Sequence, residues 1–314
     1  MSDSSAFRRR RTDSRRGLGT SSPADSRGDS GTGSFGDSYD NSQRGEDMPP
    51  RQRMSSNSQR QVLITGAASG LGLAMAKIYL EQGCKVWITD LNVTTPPDIS
   101  ALSGDWEYLQ LDVTNDEHWN AAVKTVGNLD VLVSNAGIAV GGQIEKISMD
   151  TWQRALDINV LGAVRAVRAF SPLMNDGARI AITSSLAGLV HAPLMSTYNT
   201  TKAACVALAE TLDAEFHHRN ISVSAICPQF FRSGLAGSLT GDDEKADDFA
   251  RKLLGGTYLT SETVARRSVQ LLEKRRRVIV PDAFSIANWY IKRFIRPLHL
   301  TGVRFIGNII ARRR

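Results

Sequence analysis

Tyr198 and Lys202 are four residues apart, and Ser185 lies thirteen residues before Tyr198. If this segment is helical, the tyrosine and the lysine share one face of the helix. An ammonium group near a phenol favours the phenolate, which makes the tyrosine a usable general acid or base. Taken singly, Lys202 is explained as a solvated helix residue and Tyr198 as a core or surface aromatic. Together with Ser185, they predict a site that transfers protons.

A glycine-rich loop precedes these residues, between the first predicted strand and the first predicted helix. Residues 65–72 read TGAASGLG, with three glycines in a GxxxGxG pattern. Glycines here permit a tight turn and let a diphosphate approach the free N–H groups of the helix N-terminus. Turns in general also favour glycine, so the location of the loop supports the prediction. The expected dinucleotide-binding residues are Gly66, Ser69, Gly70, Leu71 and Gly72.

The second predicted strand ends at Asp90, 24 residues after Gly66. A carboxylate at this position accepts hydrogen bonds from the hydroxyls of an adenine ribose and repels a 2′-phosphate. Neither Leu91 nor Asn92 is basic, so we expect NAD rather than NADP as the cofactor. The alternative is that Asp90 is a turn residue that contacts no ligand.

Two further strand ends carry residues that suit the adenosine part of such a cofactor. Asp112 and Val113 follow the third strand, where a hydrogen bond from Asp112 to adenine is expected. Asn135, Ala136 and Gly137 follow the fourth strand and offer a small backbone surface to adenosine. Either set could instead bridge neighbouring loops.

Short apolar segments alternate with longer segments of helical periodicity from residue 61 onward. Most of the short segments are apolar at successive positions, which is typical of strands covered on both faces. The alternation predicts an α/β protein with a doubly wound Rossmann fold, whose seven-stranded, mostly parallel sheet carries helices on both faces. The predicted strands are Gln61–Thr65, Lys85–Thr89, Trp106–Leu111, Leu129–Ser134, Ala178–Thr183, Ile221–Ile226 and Arg277–Val280. The predicted helices are Leu71–Gln82, Asp116–Val126, Met149–Met174, Thr197–His218 and Glu262–Lys274.

Two helix ends carry recognisable signals. Gly83 is expected to terminate the first helix. Thr114, followed three residues later by Glu117, predicts a capping box at the start of the second helix. Ligands of such folds bind at the carboxyl ends of the strands, so the candidate residues should meet at one edge of the sheet.

The composition narrows the class of protein. The 314 residues are 41% hydrophobic, which allows a substantial buried core. Three cysteines without a CxxC pair argue against a disulfide framework or a cysteine zinc site and fit a reducing compartment. The net charge of +6 is uneven, because residues 61–273 hold 16 basic and 23 acidic residues whereas residues 274–314 hold 11 and one. Nucleic acid is therefore not an expected partner of the central domain.

Residues 1–60 contain 14 serines and few large apolar residues, which predicts a disordered Ser/Arg/Gly-rich arm. The arm lacks the apolar segment of a secretory signal, and its eight acidic residues argue against a transit peptide. Its arginines could contact RNA or anionic lipid, but we favour a solvated tail. The rest divides into a catalytic domain, 61–283, and a C-terminal extension, 284–314, and we expect a cytoplasmic protein.

The order and spacing of these motifs resemble the classical short-chain dehydrogenase/reductase (SDR) family over residues 61–283. The resemblance implies an NAD(P)-dependent oxidoreductase that interconverts a primary or secondary alcohol and its carbonyl compound. It also implies a homodimer or homotetramer formed through the helices at 149–174 and 197–218. The segments that carry it are TGAASGLG at 65–72, Asp90, LDV at 111–113, NAG at 135–137, Asn159, Ser185 and YNTTK at 198–202.

The resemblance implies a role for each catalytic residue. Tyr198 would exchange a proton with the substrate oxygen, and Lys202 would bind the nicotinamide ribose and favour the phenolate. Ser185 would hydrogen-bond the substrate oxygen where charge develops. Asn159 would hold a water that links Lys202 to solvent. No metal is expected, because Ser185 and Tyr198 polarise the carbonyl and the cofactor carries the hydride.

One segment departs from the family pattern. After the sixth strand the family has Pro-Gly and then, three residues later, Thr, whereas this chain has Pro228, Gln229 and Ser233. Ser233 keeps a hydroxyl where the family's threonine binds the carboxamide and phosphate region. Gln229 places a side chain near the nicotinamide and gives weak support to a second interpretation, a catalytically silent binding or regulatory protein. The presence of Asn159, Ser185, Tyr198 and Lys202 argues against that interpretation.

The substrate pocket of the family is built by residues after the fifth and sixth strands and by the C-terminal segment. In this chain those residues are largely apolar, which predicts an apolar alcohol or carbonyl substrate, although they could equally be core. Residues 236–258, rich in Gly and Asp, predict a mobile lid. The apolar residues are Leu186, Leu189, Met195, Phe230, Phe231 and Leu235.

The extension at 284–314 alternates large apolar residues with Lys and Arg and is interrupted near Pro297. Such a basic amphipathic segment could lie on an anionic membrane surface or pack against protein. We favour packing on protein, which leaves a peripheral membrane tether through the basic ends as a third interpretation.

Overall fold

The computed structural model describes residues 59–229, 231 and 259–312, with side chains up to residue 309. A seven-stranded sheet in the order β3-β2-β1-β4-β5-β6-β7 forms its centre. Every pairing is parallel, which confirms the doubly wound sheet, and the order reverses between β1 and β4. The strands are β1 Gln61–Thr65, β2 Lys85–Asp90, β3 Trp106–Gln110, β4 Leu129–Ser134, β5 Met174–Thr183, β6 Ser222–Ile226 and β7 Val278–Ile279.

Helices cover both faces of this sheet. They are α1 Gly70–Glu81, α2 Pro97–Ser100, α3 Asp116–Val126, α4 Met149–Leu156, α5 Gly162–Phe170, α6 Leu186–Val190, α7 Ser196–Glu215, α8 Ser261–Glu273, α9 Ala283–Phe294 and α10 Arg296–Arg312. Strand β1 shows how the core is split, because Val62 and Ile64 join the cluster that holds α1 and α8. Leu63 joins the cluster that holds α3, α5 and α7. Successive side chains of a strand point to opposite faces, so apolar residues in succession are what two covered faces require.

The predicted single helix over Met149–Met174 is wrong. Helix α4 ends at Leu156, a π-helical turn covers Asp157–Leu161, and α5 follows. A 3-10 turn that contains Pro172 then leads directly into β5, which begins at Met174. The π turn contains Asn159, whose side-chain amide donates to the carbonyl of Ile138 and accepts from its N–H. This tertiary pairing accompanies the irregular turn, and π turns are frequent at functional sites.

The two predicted helix ends have different outcomes. Gly83 follows the end of α1 with φ +75°, as expected for a residue that terminates a helix in the left-handed region. The capping box of Thr114 and Glu117 is wrong, because Asn115 caps α3 through its side-chain oxygen. Thr114 instead donates its N–H and hydroxyl to Asp112.

The C-terminal extension forms two helices, α9 and α10, which we call the C-terminal helix pair. The predicted interruption near Pro297 is confirmed, because α9 ends at Phe294 and α10 begins at Arg296. Among the described residues, no helix combines the length and apolar character that crossing a bilayer requires. Nearly all of the predicted arm and the whole predicted lid at 236–258 lie outside the described residues.

Candidate functional site

A cleft of about 400 Å³ opens at the carboxyl edge of the sheet. Its walls come from the ends of β1, β2, β4, β5 and β6 and from α7, and it includes the point where strand order reverses. Doubly wound sheets bind ligands at this place. Most sequence-predicted site residues line it: Gly66, Ser69, Gly70, Leu71, Asp90, Asp112, Val113, Asn135, Ala136, Gly137, Ser185, Tyr198, Lys202 and Pro228.

The glycine loop leaves no space for side chains on its inner side. Gly66 has φ +62°, and a Cβ on it would lie 2.8 Å from Cα of Ala136. A Cβ on Gly72 would lie 2.5 Å from the carbonyl oxygen of Gly66. Among the residues that the structure describes, none caps the N-terminus of α1 through its side chain, and Gly70 and Leu71 line the cleft there. Bare backbone beside an uncapped helix N-terminus fits a dinucleotide diphosphate.

Asp90 lies at the end of β2 and orders the glycine loop. Its carboxylate accepts hydrogen bonds from the N–H of Ala68 at 3.0 Å and of Leu91 at 2.8 Å. Asp90 also lines the cleft together with Leu91. The turn contacts suggested by sequence and a position suited to a ribose therefore occur together.

Asn135 makes the loop-bridging contacts that the sequence leaves open, whereas Asp112 accepts hydrogen bonds within its own loop. The side-chain amide of Asn135 donates to the carbonyls of Thr65 and Gly66, and its oxygen accepts from the hydroxyl of Thr183. Asp112 accepts from Thr114. Both residues nevertheless line the cleft, so their hydrogen bonds to other residues do not remove them from it.

Tyr198 and Lys202 lie on α7 and face the cleft. The Nζ atom of Lys202 is 5.8 Å from the centre of the Tyr198 ring and donates to the carbonyl of Thr183 at 2.9 Å. Both residues are nearly enclosed, with 5% of Tyr198 and 4% of Lys202 exposed. The structure therefore brings the cation and the phenol to one side of the helix, as the spacing predicts.

Ser185 caps α6 and stands across the cleft wall from Pro228. Its hydroxyl oxygen accepts the N–H of Ala187 at 3.1 Å, and the hydroxyl donates to the carbonyl of Pro228 at 3.4 Å. The N–H of Leu186 donates to the same carbonyl at 2.8 Å. The serine side chain is thus oriented by both β5–α6 and the segment after β6.

Asn159 is buried behind the cleft and does not line it. Besides its two bonds to Ile138, its amide donates to the hydroxyl of Thr201, and its backbone carbonyl accepts the thiol of Cys205. A Cβ on Gly137 would lie 2.9 Å from Oδ1 of Asn159 and 3.1 Å from Nζ of Lys202. Gly137 therefore keeps the asparagine and the lysine close together.

In the segment after β6, Gln229 stands where the family pattern has glycine, and its side chain has a specific partner. The side-chain amide of Gln229 donates to Asp282 at 3.2 Å, and Asp282 caps α9. Gln229 thus lines the cleft while it joins the site to the C-terminal helix pair. Ser233, Phe230 and Leu235 lie outside the described residues.

Two cysteine thiols near the site are buried and are expected to be unreactive. Burial raises the pKa of Cys227 to about 12 and also raises the pKa of Cys205. A thiol with a raised pKa stays protonated near neutral pH and is a poor nucleophile.

The apolar residues expected in a substrate pocket divide between cleft and core. Phe231 lines the cleft, whereas Leu189 packs against the core. Leu186 and Met195 are buried and do not line the cleft.

Several site residues are not found from the sequence. Thr65 accepts the N–H groups of Asn135 and Ala136 through its hydroxyl, and a polar residue at the end of an apolar strand was the available signal. Ile138, Arg154 and Ile158 also line the cleft. Their helical and loop segments carry no signal that distinguishes them from ordinary packing or surface positions.

Comparison with known proteins supports the class of protein that the sequence motifs indicate. A family model described as short chain dehydrogenase matches residues 60–244. The 2-(S)-hydroxypropyl-CoM dehydrogenase 3 of Xanthobacter autotrophicus is 31% identical over 239 residues, covering 72% of this chain and 94% of that protein. Cyclopentanol dehydrogenase of a Comamonas species is 32% identical, covering 63% and 82%. A short chain dehydrogenase/reductase from Burkholderia phymatum, solved with NAD, superposes with a TM-score of 0.71 at 27% identity, covering 78% and 96%.

Proposed function

The chain belongs to the short-chain dehydrogenase/reductase family and is an NAD(P)-dependent oxidoreductase of alcohol or carbonyl compounds, and we propose that it uses NAD to act on an apolar substrate. The observation that carries the proposal is the placement of Tyr198 and Lys202 on one face of α7, inside the cleft.

The cofactor would lie along the cleft, from the end of β2 to α7. A nicotinamide cofactor bound there would supply the hydride transfer to or from the substrate carbon. The glycine loop and the N-terminus of α1 would hold the diphosphate. Asp112, Val113, Asn135, Ala136 and Gly137 would surround the adenosine, and Pro228 would lie near the carboxamide.

Asp90 supports a preference for NAD. A carboxylate at the end of β2 accepts hydrogen bonds from ribose hydroxyls and repels a 2′-phosphate. The hydrogen bonds from Ala68 and Leu91 hold this carboxylate in place. Its negative charge therefore stands at a fixed position rather than on a freely rotating side chain.

Tyr198 would move the proton. Its deprotonated oxygen would take the proton of a substrate alcohol, or its hydroxyl would give a proton to a carbonyl oxygen. Lys202, held by the carbonyl of Thr183, would bind the nicotinamide ribose and place its positive charge beside the Tyr198 ring. Ser185 donates to the substrate oxygen as charge develops, in place of its 3.4 Å bond to Pro228. Asn159 fixes the backbone at Ile138 and holds the water that links Lys202 to solvent.

The apolar character of the substrate is proposed from the cleft wall. Ile138, Ile158 and Phe231 line the cleft, and apolar walls with a few placed polar groups are typical of small-molecule sites. A hydrophobic alcohol or ketone would bury its carbon skeleton there and present its oxygen to Tyr198 and Ser185.

A panel of alcohols and ketones of increasing apolar size, followed by NADH absorbance, tests the proposal. We expect kcat/KM to rise with apolar size and to be higher with NAD than with NADP. Tyr198→Phe should abolish turnover while NADH still binds, as measured by its fluorescence. Turnover equal to wild type in this variant, or a preference for charged substrates, would overturn the assignment.

A further inference from the structure

The C-terminal helix pair presents an apolar surface that no described part of the chain covers. Its largest members include Phe294, 71% exposed, and Phe305, 65% exposed. On α9, Ile286, Tyr290 and Phe294 recur at every fourth position and are all exposed, and the last two stack at 5.8 Å. On α10, Leu298, Phe305 and Ile309 lie on a common face. An exposed apolar surface of this extent marks an interaction site.

The opposite side of the pair is attached to the catalytic domain. On α9, Ser285 is fully buried and Trp289 packs against the core. Lys292 donates to the carbonyl of Leu189 at the end of α6, and the ring of His299 contacts the carbonyl of Val190 at 2.9 Å. The pair is therefore docked by its inner face, so the outward direction of the apolar face is fixed.

The positive charge of the helix pair indicates a negatively charged partner. Residues 283–314 contain seven Lys and Arg and no Asp or Glu. Arg293, Arg296 and Arg304 are exposed beside the apolar side chains. Clusters of cations beside an exposed apolar face bind the interface of an anionic bilayer, because the apolar side chains enter the lipid and each cation adds to the attraction.

A second copy of the chain fits this surface less well. A two-fold interface would bring the same patch of both subunits together. It would place the arginines of one copy against those of the other, with no acidic residue in the segment to offset them. The arginines of the two copies would repel each other, whereas the phosphates and carboxylates of anionic lipids attract arginine.

We propose that the C-terminal helix pair binds the surface of an anionic membrane, with its aromatic and aliphatic face in the headgroup region and its arginines on the lipid charges. The contact would hold the enzyme at the membrane. Helix α6, which begins after Ser185 and contacts the helix pair, would then lie on the side of the enzyme that faces the bilayer. The catalytic groups take no part in it, so this proposal stands independently of the substrate.

Vesicle co-sedimentation of the full chain tests the proposal. Vesicles of phosphatidylcholine alone are compared with vesicles of phosphatidylcholine and phosphatidylserine, at low and high salt. We expect binding to the mixed vesicles only, weakened by salt. Equal binding to both kinds of vesicle, or to neither, would overturn the proposal.

Two sets of substitutions locate the binding surface. Phe294→Ser with Phe305→Ser should weaken binding at least about tenfold, because two aromatic side chains no longer enter the interface. Arg293→Gln, Arg296→Gln and Arg304→Gln together should weaken it about a hundredfold. The matched controls are Val93→Ser with Ile144→Ser, which are exposed apolar residues elsewhere, and Lys124→Gln.

The controls should bind vesicles as the wild type does, and turnover without vesicles should be unchanged in every variant. If vesicle binding survives both sets of substitutions, the contact lies elsewhere, for instance in residues 1–58, and the proposal is wrong. If sedimentation velocity shows a self-association that Phe294→Ser with Phe305→Ser removes, the surface is an interface between copies, and the proposal is also wrong.

Discussion

The cleft and the C-terminal helix pair use aromatic and cationic residues in opposite ways. In the cleft, Tyr198 and Lys202 are nearly enclosed, and the lysine is held by the carbonyl of Thr183. In the helix pair, Tyr290 and Phe294 are exposed, and so is Arg296. Enclosed groups act on a reacting atom because their positions are fixed, whereas exposed groups act only when another surface meets them.

One lysine in each region donates a hydrogen bond to a backbone carbonyl, but the surroundings of the two lysines differ. Lys202 donates to the carbonyl of Thr183 and Lys292 to that of Leu189. Lys202 lies beside the Tyr198 ring, and its proposed role is in proton transfer. Burial and the charge of Arg296 lower the pKa of Lys292, and its contacts are with backbone and His191, so its role is attachment.

The largest expected effect separates the two tyrosines. Tyr198→Phe should lower kcat/KM by about 10²–10⁴-fold, because the proton donor is removed. Tyr290→Phe, which changes the same atom on the helix pair, should leave turnover unchanged. Steady-state kinetics with the best alcohol of the panel measures both. Similar losses in the two variants would remove the distinction between the regions.

A smaller effect is expected from two glycines. Gly66→Ala should weaken NADH binding by about 10–100-fold, because the new Cβ meets Ala136 at 2.8 Å and the residue keeps a left-handed φ. Gly302→Ala on α10 meets no atom within 4 Å and should bind NADH normally. Fluorescence titration measures both affinities. Unchanged affinity in Gly66→Ala would mean that the loop does not hold the diphosphate.

Asp90→Ser should shift the cofactor preference toward NADP by about tenfold, because the charge that repels a 2′-phosphate is lost. The ratio of kcat/KM with NAD to that with NADP measures the shift. Asp98→Ser, an exposed acid on α2, serves as the control and should leave the ratio unchanged. An unaltered ratio in Asp90→Ser would assign the preference to other residues.

The smallest effect concerns pH and the contact between α6 and the helix pair. Burial, and next the charges of Lys292, His299 and Arg296, lower the pKa of His191, although the carbonyl of Gly188 opposes the shift. Because the folded-state pKa lies below the unfolded value of about 6.5, the unfolded chain binds more protons below that pH, and stability falls with acidification.

The wild type should therefore lose slightly more thermal stability between about pH 7 and pH 5 than His191→Gln. Differential scanning calorimetry measures the difference. His218→Gln, outside this contact, should lose as much stability as the wild type. A wild-type slope no steeper than that of His191→Gln would separate His191 from the attachment of the pair.

The sequence predicts regular features well and contacts between distant residues poorly. The seven strands follow from β-branched apolar segments, and the site at their carboxyl ends follows from the topology. The π turn at Asn159 does not follow, because it coincides with bonds to Ile138, 21 residues away. Nor does the bond between Gln229 and Asp282, 53 residues apart, which no local pattern encodes.

The capping error shows the same limit on a smaller scale. Thr114 and Asn115 are adjacent, and both residue types cap helices. Asp112 binds both the N–H and the hydroxyl of Thr114, which leaves the cap to Asn115. The choice depends on a neighbour outside the helix, so helix signals alone cannot make it.

Helix α6 is a single short turn held at both ends, by Ser185 at its start and by Lys292 and His299 at its finish. Chain termini usually tolerate trimming and fusion because little depends on them. Here α9 and α10 contact the end of the short helix that begins after Ser185, the residue whose hydroxyl we propose to bind the substrate oxygen. We therefore expect removal of α9 and α10 to displace α6 and to disturb catalysis.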